Sequence, residues 1–192
     1  TGHGKAYFSS AGNSGNLLSG TSGTWEGDFL DGGPSTLSGE SGTFHSFGSS
    51  IYNVLTQKTD NVILTWGDPQ GASKNDYDLF VLDSSGAKIL AYSTDTQNGS
   101  QNPYESVSGQ FPQGSKIVVV KYNGEARALR LDTQRGMLSI NTSGNTYGHN
   151  GGLNSITMAA VDVATAKGSV FSGGGANPVE YFSSDGPRRL FF

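Results

Sequence analysis

Short apolar stretches of period two, cut at close intervals by Gly, Asn, Ser and Asp, fill the middle of this chain and point to antiparallel β-structure. The best strand candidates are residues 62–66, 78–82, 88–91, 117–122 and 128–131. Turn chemistry separates them. Asp83-Ser84-Ser85-Gly86 has the ends of a tight hairpin connection, and Tyr122-Asn123-Gly124-Glu125 carries Asn-Gly, a strong short hairpin signal. Each strand is apolar on one face only. Two sheets must therefore turn those faces toward each other, gaining about 25 cal/mol per Å² of apolar surface withdrawn from water. The expectation is a mainly β chain whose residues 41–135 form a compact antiparallel β-sandwich, jelly-roll-like in order.

The flanks have a different texture. Residues 12–39 are dominated by Gly, Ser, Thr and Asn, with Leu17, Leu18, Trp25, Phe29 and Leu30 scattered among them. That is loop composition, in which Trp25 and Phe29 favour docking on a neighbouring surface over free disorder. Residues 155–162 read as a strand, although 159–167 also suits a helix by propensity. The apolar Leu190-Phe191-Phe192 reads as a truncation point, and the Thr1-Gly2-His3-Gly4 start as mid-protein.

Bulk composition narrows the function. The 29 glycines follow no G-X-Y period, so they signal turns and not collagen. A net charge of −4, with only 15% of residues charged, offers no basic face for nucleic acid or anionic lipid. The absence of Cys excludes disulfides, Cys-ligated zinc and a thiol nucleophile together. No apolar run approaches the ~20 residues of a membrane-spanning helix.

Three ordered segments carry a family resemblance. Lys5-Ala6-Tyr7-Phe8-Ser9-Ser10-Ala11-Gly12-Asn13 resembles the strand and Ala-Gly-Asn turn of subtilisin-like serine proteases. Residues 154–162 resemble the family's Asn-Ala-Ile-Thr-Val-Gly-Ala-Val-Asp strand, and Phe182-Ser183-Ser184-Asp185-Gly186-Pro187 its Phe-Ser-Ser-Arg-Gly-Pro segment, with Asp185 in place of Arg. The resemblance implies that residues 1–40 and 136–192 are strand and loop pieces of an α/β subtilisin-type domain. It also implies that Asn13 is the oxyanion-hole donor, a fixed dipole aimed where charge develops during peptide hydrolysis. The triad is missing: Gly2-His3-Gly4 and Gly20-Thr21-Ser22 imitate the family's His and Ser motifs without their following helices. His3 and Ser22 are therefore read as loop residues, and His45 and His149 as structural or surface ones.

The middle of the chain resembles another module. Asn75-Asp76-Tyr77-Asp78-Leu79-Phe80-Val81-Leu82-Asp83-Ser84-Ser85-Gly86 is similar to the Asp-x-Asp-Leu strand and turn of pre-peptidase C-terminal β-sandwiches, which accompany secreted bacterial peptidases. Modules of this kind sometimes bind calcium, and Asp68, Asp76, Asp78 and Glu105 are candidate ligands because hard cations take several oxygens. Alternation puts Asp76 and Asp78 on one face of a strand, where they repel unless a cation or water lies between them. The competing reading is that these acids cap turns and face solvent. Tyr52, Trp66, Tyr77, Tyr92, Tyr104 and Tyr122 are candidates for a sugar- or peptide-stacking platform, or for core.

Together these readings imply an internal region of a secreted, extracellular subtilisin-like endopeptidase, not catalytic alone, whose inserted β-sandwich shapes substrate access or docking. Its partners would be the remainder of the protease domain and a protein or peptide substrate, with no nucleic acid or membrane. The alternative is a non-enzymatic binding or adhesion module for protein or carbohydrate.

Overall fold

The computed structural model describes residues 6–37, 39–166 and 177–191. Its elements are β1 (Tyr7–Ser10), β2 (Thr24–Asp28), β3 (Asp31–Pro34), β4 (Thr43–His45), β5 (Asn53–Gln57), β6 (Thr59–Trp66), β7 (Asp76–Leu82), β8 (Ile89–Ser93), β9 (Tyr104–Phe111), β10 (Lys116–Asn123), β11 (Ala128–Asp132), β12 (Met137–Leu138), β13 (Ser155–Met158) and one helical turn, α1 (Val163–Ala166). The chain is mainly β, and two antiparallel sheets make up its bulk. One is four-stranded in the order β2-β11-β6-β9. The other is seven-stranded and built around β10, which pairs with β7 along one side. On its other side β10 meets β4 near Val120 and β5 near Lys116, while β8, β3 and β12 extend the sheet outward.

Alternation places the core between these sheets. Val62, Leu64 and Trp66 of β6 and Leu129 and Leu131 of β11 face Tyr77, Leu79 and Val81 of β7 and Ile117 and Val119 of β10. The two largest aromatics keep their polar ends satisfied. Trp66 Nε1 donates to Ser73 Oγ at 3.0 Å, and the Tyr77 hydroxyl donates to the Glu125 carbonyl at 2.8 Å. Trp66 and Tyr77 are thus core residues, whereas Tyr92, Tyr104 and Tyr122 of the candidate platform are exposed.

The other face of β7 is covered too. Asp76, Asp78, Phe80 and Leu82 alternate with the core residues, and Phe80 and Leu82 pack with Phe44, Val118 and Val120 under Leu37, Ile51 and Tyr52. A strand buried on both faces explains why 76–82 reads as a nearly continuous apolar run flanked by acids.

Two expectations need correction. The Gly- and Ser-rich stretch 12–39 is not all loop: β2 pairs with β11, β3 pairs with β4, and Trp25 and Phe29 lie in the main core. The sheets therefore begin at Thr24, upstream of residue 41. Asp31-Gly32-Gly33-Pro34 carries no apolar alternation, so its ladder is set by its partner strand, not by its own pattern. The second concerns Asn123-Gly124, which turns no hairpin. It carries the chain from β10 in one sheet to β11 in the other. Gly124 has φ +93°, and a Cβ there would lie 2.4 Å from Asn75 Oδ1, which instead accepts the Glu125 N–H at 2.6 Å. By contrast, the Asp83–Gly86 turn does join β7 to β8, with Asp83 Oδ1 accepting N–H groups from Gly86, Ala87 and Lys88.

Outside the sandwich, β1 and β13 form a two-stranded parallel sheet in the register Tyr7↔Ser155 to Ser10↔Met158. Residues 155–158 are thus strand, and helix begins only at Val163. An Asn145–Asp185 knot fixes this lobe to the sandwich. Asn145 Nδ2 donates to Ser22 Oγ and to Asp185 Oδ1, both at 2.9 Å, and Asn145 Oδ1 accepts from Gly23 N. The tail beyond Asp185 continues along β2, with Arg189 N donating to Glu26 and its guanidinium pairing with Asp28.

Candidate functional site

Chemistry-bearing residues gather in two places: the turn after β1, and the outer face of β7. At the first, Gly12 takes φ +96°, a conformation that L side chains resist, and the chain bends so that Asn13 projects into solvent. Ser184 brackets that bend. Its N–H donates to the Gly12 carbonyl at 2.9 Å, and its Oγ accepts the Ser14 N–H, also at 2.9 Å. Asn150 holds the strand end from the other side, its Nδ2 donating to the carbonyls of Ser10 at 2.9 Å and Ala11 at 2.8 Å. Asn16 Nδ2 reaches the Ser183 carbonyl, and Asp185 Oδ2 accepts the Leu17 N–H. The three segments 11–13, 154–162 and 182–187 therefore meet in one place although the sandwich separates the first from the others. A cleft of about 560 Å³ opens beside them, walled by Ala11, Asn150, Leu153, Ser184 and Pro187.

Among the described residues, no candidate nucleophile or base accompanies Asn13. Ser22 is fully buried and donates to the Thr142 carbonyl at 2.6 Å. His45 is a core histidine packed against Trp25, Phe29 and Phe47. Its Nδ1 accepts the Leu30 N–H, and burial pulls its pKa down to about 4. His149 is exposed, edge-on to Tyr7, and His3 lies outside the described residues.

At the second place the candidate calcium ligands divide. Asp68 is not with the others. It accepts from Ser73 Oγ (2.9 Å), the N–H groups of Lys74 and Asn75, Asn75 Nδ2 (2.8 Å) and Arg127 Nε (2.8 Å). Burial pushes its carboxyl upward, but the Asn75 and Arg127 hydrogen bonds outweigh that and hold it at about 2. Both oxygens are engaged, so Asp68 is a loop anchor and does not fit a cation.

Asp76, Asp78 and Glu105 do come together, and Glu40 joins them. All except Glu40 are at least nine-tenths buried. The Glu40 and Asp78 carboxyls hydrogen-bond each other, and the Gln97 N–H serves Asp76. Gln97 Nε2 donates to Glu105 Oε1 at 2.6 Å, and Ser93 Oγ donates to Glu105 Oε2. Burial, then the neighbouring Glu40, pushes Asp78 up to about 8; burial pushes Glu105 to about 7 and raises Asp76. Among the described residues no three acidic or histidine side chains stand ready-made as a metal set. Yet the Glu40 Oε1, Asp76 Oδ1 and Gln97 Oε1 atoms are buried without any hydrogen-bond partner. Glu40 follows a turn and Gln97 lies in the β8–β9 loop, with no motif around either, and only the fold brings them to β7.

Comparison with models of known protein families and with curated proteins finds no match to this chain.

Proposed function

We propose that this chain is an internal region of a secreted subtilisin-like serine endopeptidase, contributing the oxyanion strand and carrying an inserted accessory β-sandwich. The observation that carries the reading is the parallel β1–β13 pair, which assembles the three protease-like segments around an exposed Asn13. A parallel pair is ordinarily part of a larger sheet covered on both faces. Here Phe8, Ile156 and Met158 fall on one face and are 62%, 46% and 55% exposed, which suits packing against further α/β structure. In that setting Asn13 Nδ2 donates a hydrogen bond to the oxyanion of the tetrahedral intermediate, and the Ser184 and Asn150 contacts fix the turn that aims it. The sandwich, joined to the turn through Asn145 and Asp185, stands beside the cleft and shapes access or docks macromolecular substrate.

The gene sequence on either side of the chain tests this directly. Upstream Asp and His-Gly-Thr motifs and a downstream Gly-Thr-Ser-Met-Ala-x-Pro support the reading; unrelated flanks leave a non-enzymatic β-sandwich binding module. In the complete protease, Asn13→Leu should lower kcat by about 10²–10³ with little change in KM, the loss that follows removal of one oxyanion-hole donor in a subtilisin. An unchanged kcat would overturn the role of Asn13.

A further inference from the structure

We infer that the outer face of the seven-stranded sheet carries a binding pocket for a small apolar carboxylate, whose body enters a cavity floored by Phe44, Leu82 and Val118 and whose charged end meets Lys116 and the Tyr52 hydroxyl. The pocket shares no residue with the cleft beside Asn13, so it stands whether or not the chain belongs to a protease. Its shape is the first ground. A cavity of about 290 Å³ opens where the Asp83–Gly86 turn, Tyr52 and the β3–β4 connection come together over this sheet. Phe44, Leu82 and Val118 are almost fully buried beneath it, while Leu37 and Ile89 stand at its sides. The space is about twice that of an engineered apolar cavity of ~150 Å³ that takes benzene, and it reaches the lower end of ligand pockets, about 300 Å³. No charged side chain is among its walls.

Charge at the mouth is the second ground. Lys116 Nζ donates to the Ser85 carbonyl at 3.0 Å and lies 4.9 Å from the centre of the Tyr52 ring, two contacts that hold the ammonium in place. A Cβ on Gly86, which lines the cavity, would lie 3.2 Å from that Nζ and 3.7 Å from the Tyr52 hydroxyl, so both polar ends converge on one wall. An ammonium carries three N–H donors, and Ser85 takes one. The ion pairs among the described residues are all made by arginines, and none engages Lys116. Asp83, the acid of the same turn, already commits Oδ1 to the N–H groups of Gly86, Ala87 and Lys88. The mouth thus offers a positioned cation beside a hydroxyl donor, while the interior offers mainly apolar contact. An uncharged ligand uses the interior alone, whereas a carboxylate also takes charge-assisted hydrogen bonds, which are stronger than neutral ones. A free aryl or alkyl acid and the apolar C-terminal residue of a peptide share this chemistry.

The test is an amide NMR titration of the whole chain with hydrocinnamate, with N-acetyl-Gly-Phe, and with hydrocinnamamide as the uncharged counterpart. The expected result is saturable shifts at Gly86, Ala87 and Ile89, with a Kd of about 1 mM or tighter for at least one carboxylate and about tenfold weaker for the amide. Lys116→Met keeps an apolar stem and removes the charge. It should weaken the carboxylate about tenfold and leave hydrocinnamamide unchanged, a split that a merely structural lysine would not give. Ala87→Leu, at an exposed position on the wall, should weaken all three probes, while Lys58→Met, at an exposed position between β5 and β6, should match the parent. Tighter binding of hydrocinnamate marks a free acid as the ligand, and tighter binding of N-acetyl-Gly-Phe a peptide C-terminus; either supports the pocket. No saturable shift at these residues with either carboxylate would overturn the inference, and so would a carboxylate affinity unchanged in Lys116→Met.

Discussion

In the sandwich, Val62, Leu64, Trp66, Leu79 and Val81 are fully buried, and every residue of β7 is enclosed on both sides. In the β1–β13 lobe the strands are also regular and hydrogen-bonded, yet Tyr7, Phe8, Ile156 and Met158 remain between 41% and 62% exposed. The difference lies in what covers each sheet. Antiparallel sheets in the sandwich cover one another, whereas the parallel pair has the 3-10 turn Gly148–Gly151 and Asn150 against one side and solvent on the other. One region is a closed hydrophobic unit; the other is held mainly by hydrogen bonds from Asn150, Ser184 and Asn145. Stability is therefore concentrated in the sandwich, while the residues with a catalytic resemblance lie where little apolar burial supports them.

The largest way to test this contrast is Trp66→Ala. Trp66 fills the centre of the main core, and its removal should cost about 3–5 kcal/mol in urea unfolding, enough to threaten the whole sandwich. A loss below about 1 kcal/mol would mean that the two sheets do not form the cooperative core described here.

A second probe uses His45, whose imidazole is buried among aromatics with Nε2 lacking a partner. Its folded pKa of about 4 lies below the ordinary value of 6.5, so folding disfavours the protonated form. Its contribution is complete above pH 6.5 and is lost as the pH falls from there through about 4, on the order of 3 kcal/mol in all. His45→Asn keeps an acceptor for the Leu30 N–H without titrating. It should flatten that acid limb relative to the parent; parallel pH profiles for the two would show that His45 is not buried as described.

How far the sequence discloses this molecule depends on whether a segment's own pattern or its partner sets its structure. β6 and β11 alternate, β7 and β10 read as short apolar runs, and all four are legible to within a few residues; the two-residue spacing alone puts Asp76 and Asp78 on one face. β2 and β3 are not legible, because five- and four-residue strands rich in Gly and Asp have no periodicity to read. Asn123-Gly124 has the chemistry of a hairpin, but local turn chemistry does not say which sheet the next strand joins. The site divides in the same way. Carboxylates next to a strand pattern are visible in sequence, where Asp68 looks equivalent to the rest; only the fold puts Arg127 and Asn75 on it. Glu40 and Gln97 likewise need the fold to bring them in.

The smallest predicted effect is the most specific to the open lobe. Phe8 is 62% exposed on β1, so Phe8→Ser withdraws almost nothing from a core and should change global stability by no more than about 0.5 kcal/mol. It should nevertheless lower binding of an apolar dye, since Phe8, Ile156 and Met158 make one contiguous face by the β1–β13 register. Set against Trp66→Ala, this separates two kinds of aromatic residue that composition alone treats alike. If Phe8→Ser destabilised the chain as Trp66→Ala does, that face would already be packed within the chain, and its role as a surface for further α/β structure would fall. If stability held and dye binding dropped, the bare face made by Phe8, Ile156 and Met158 would be real.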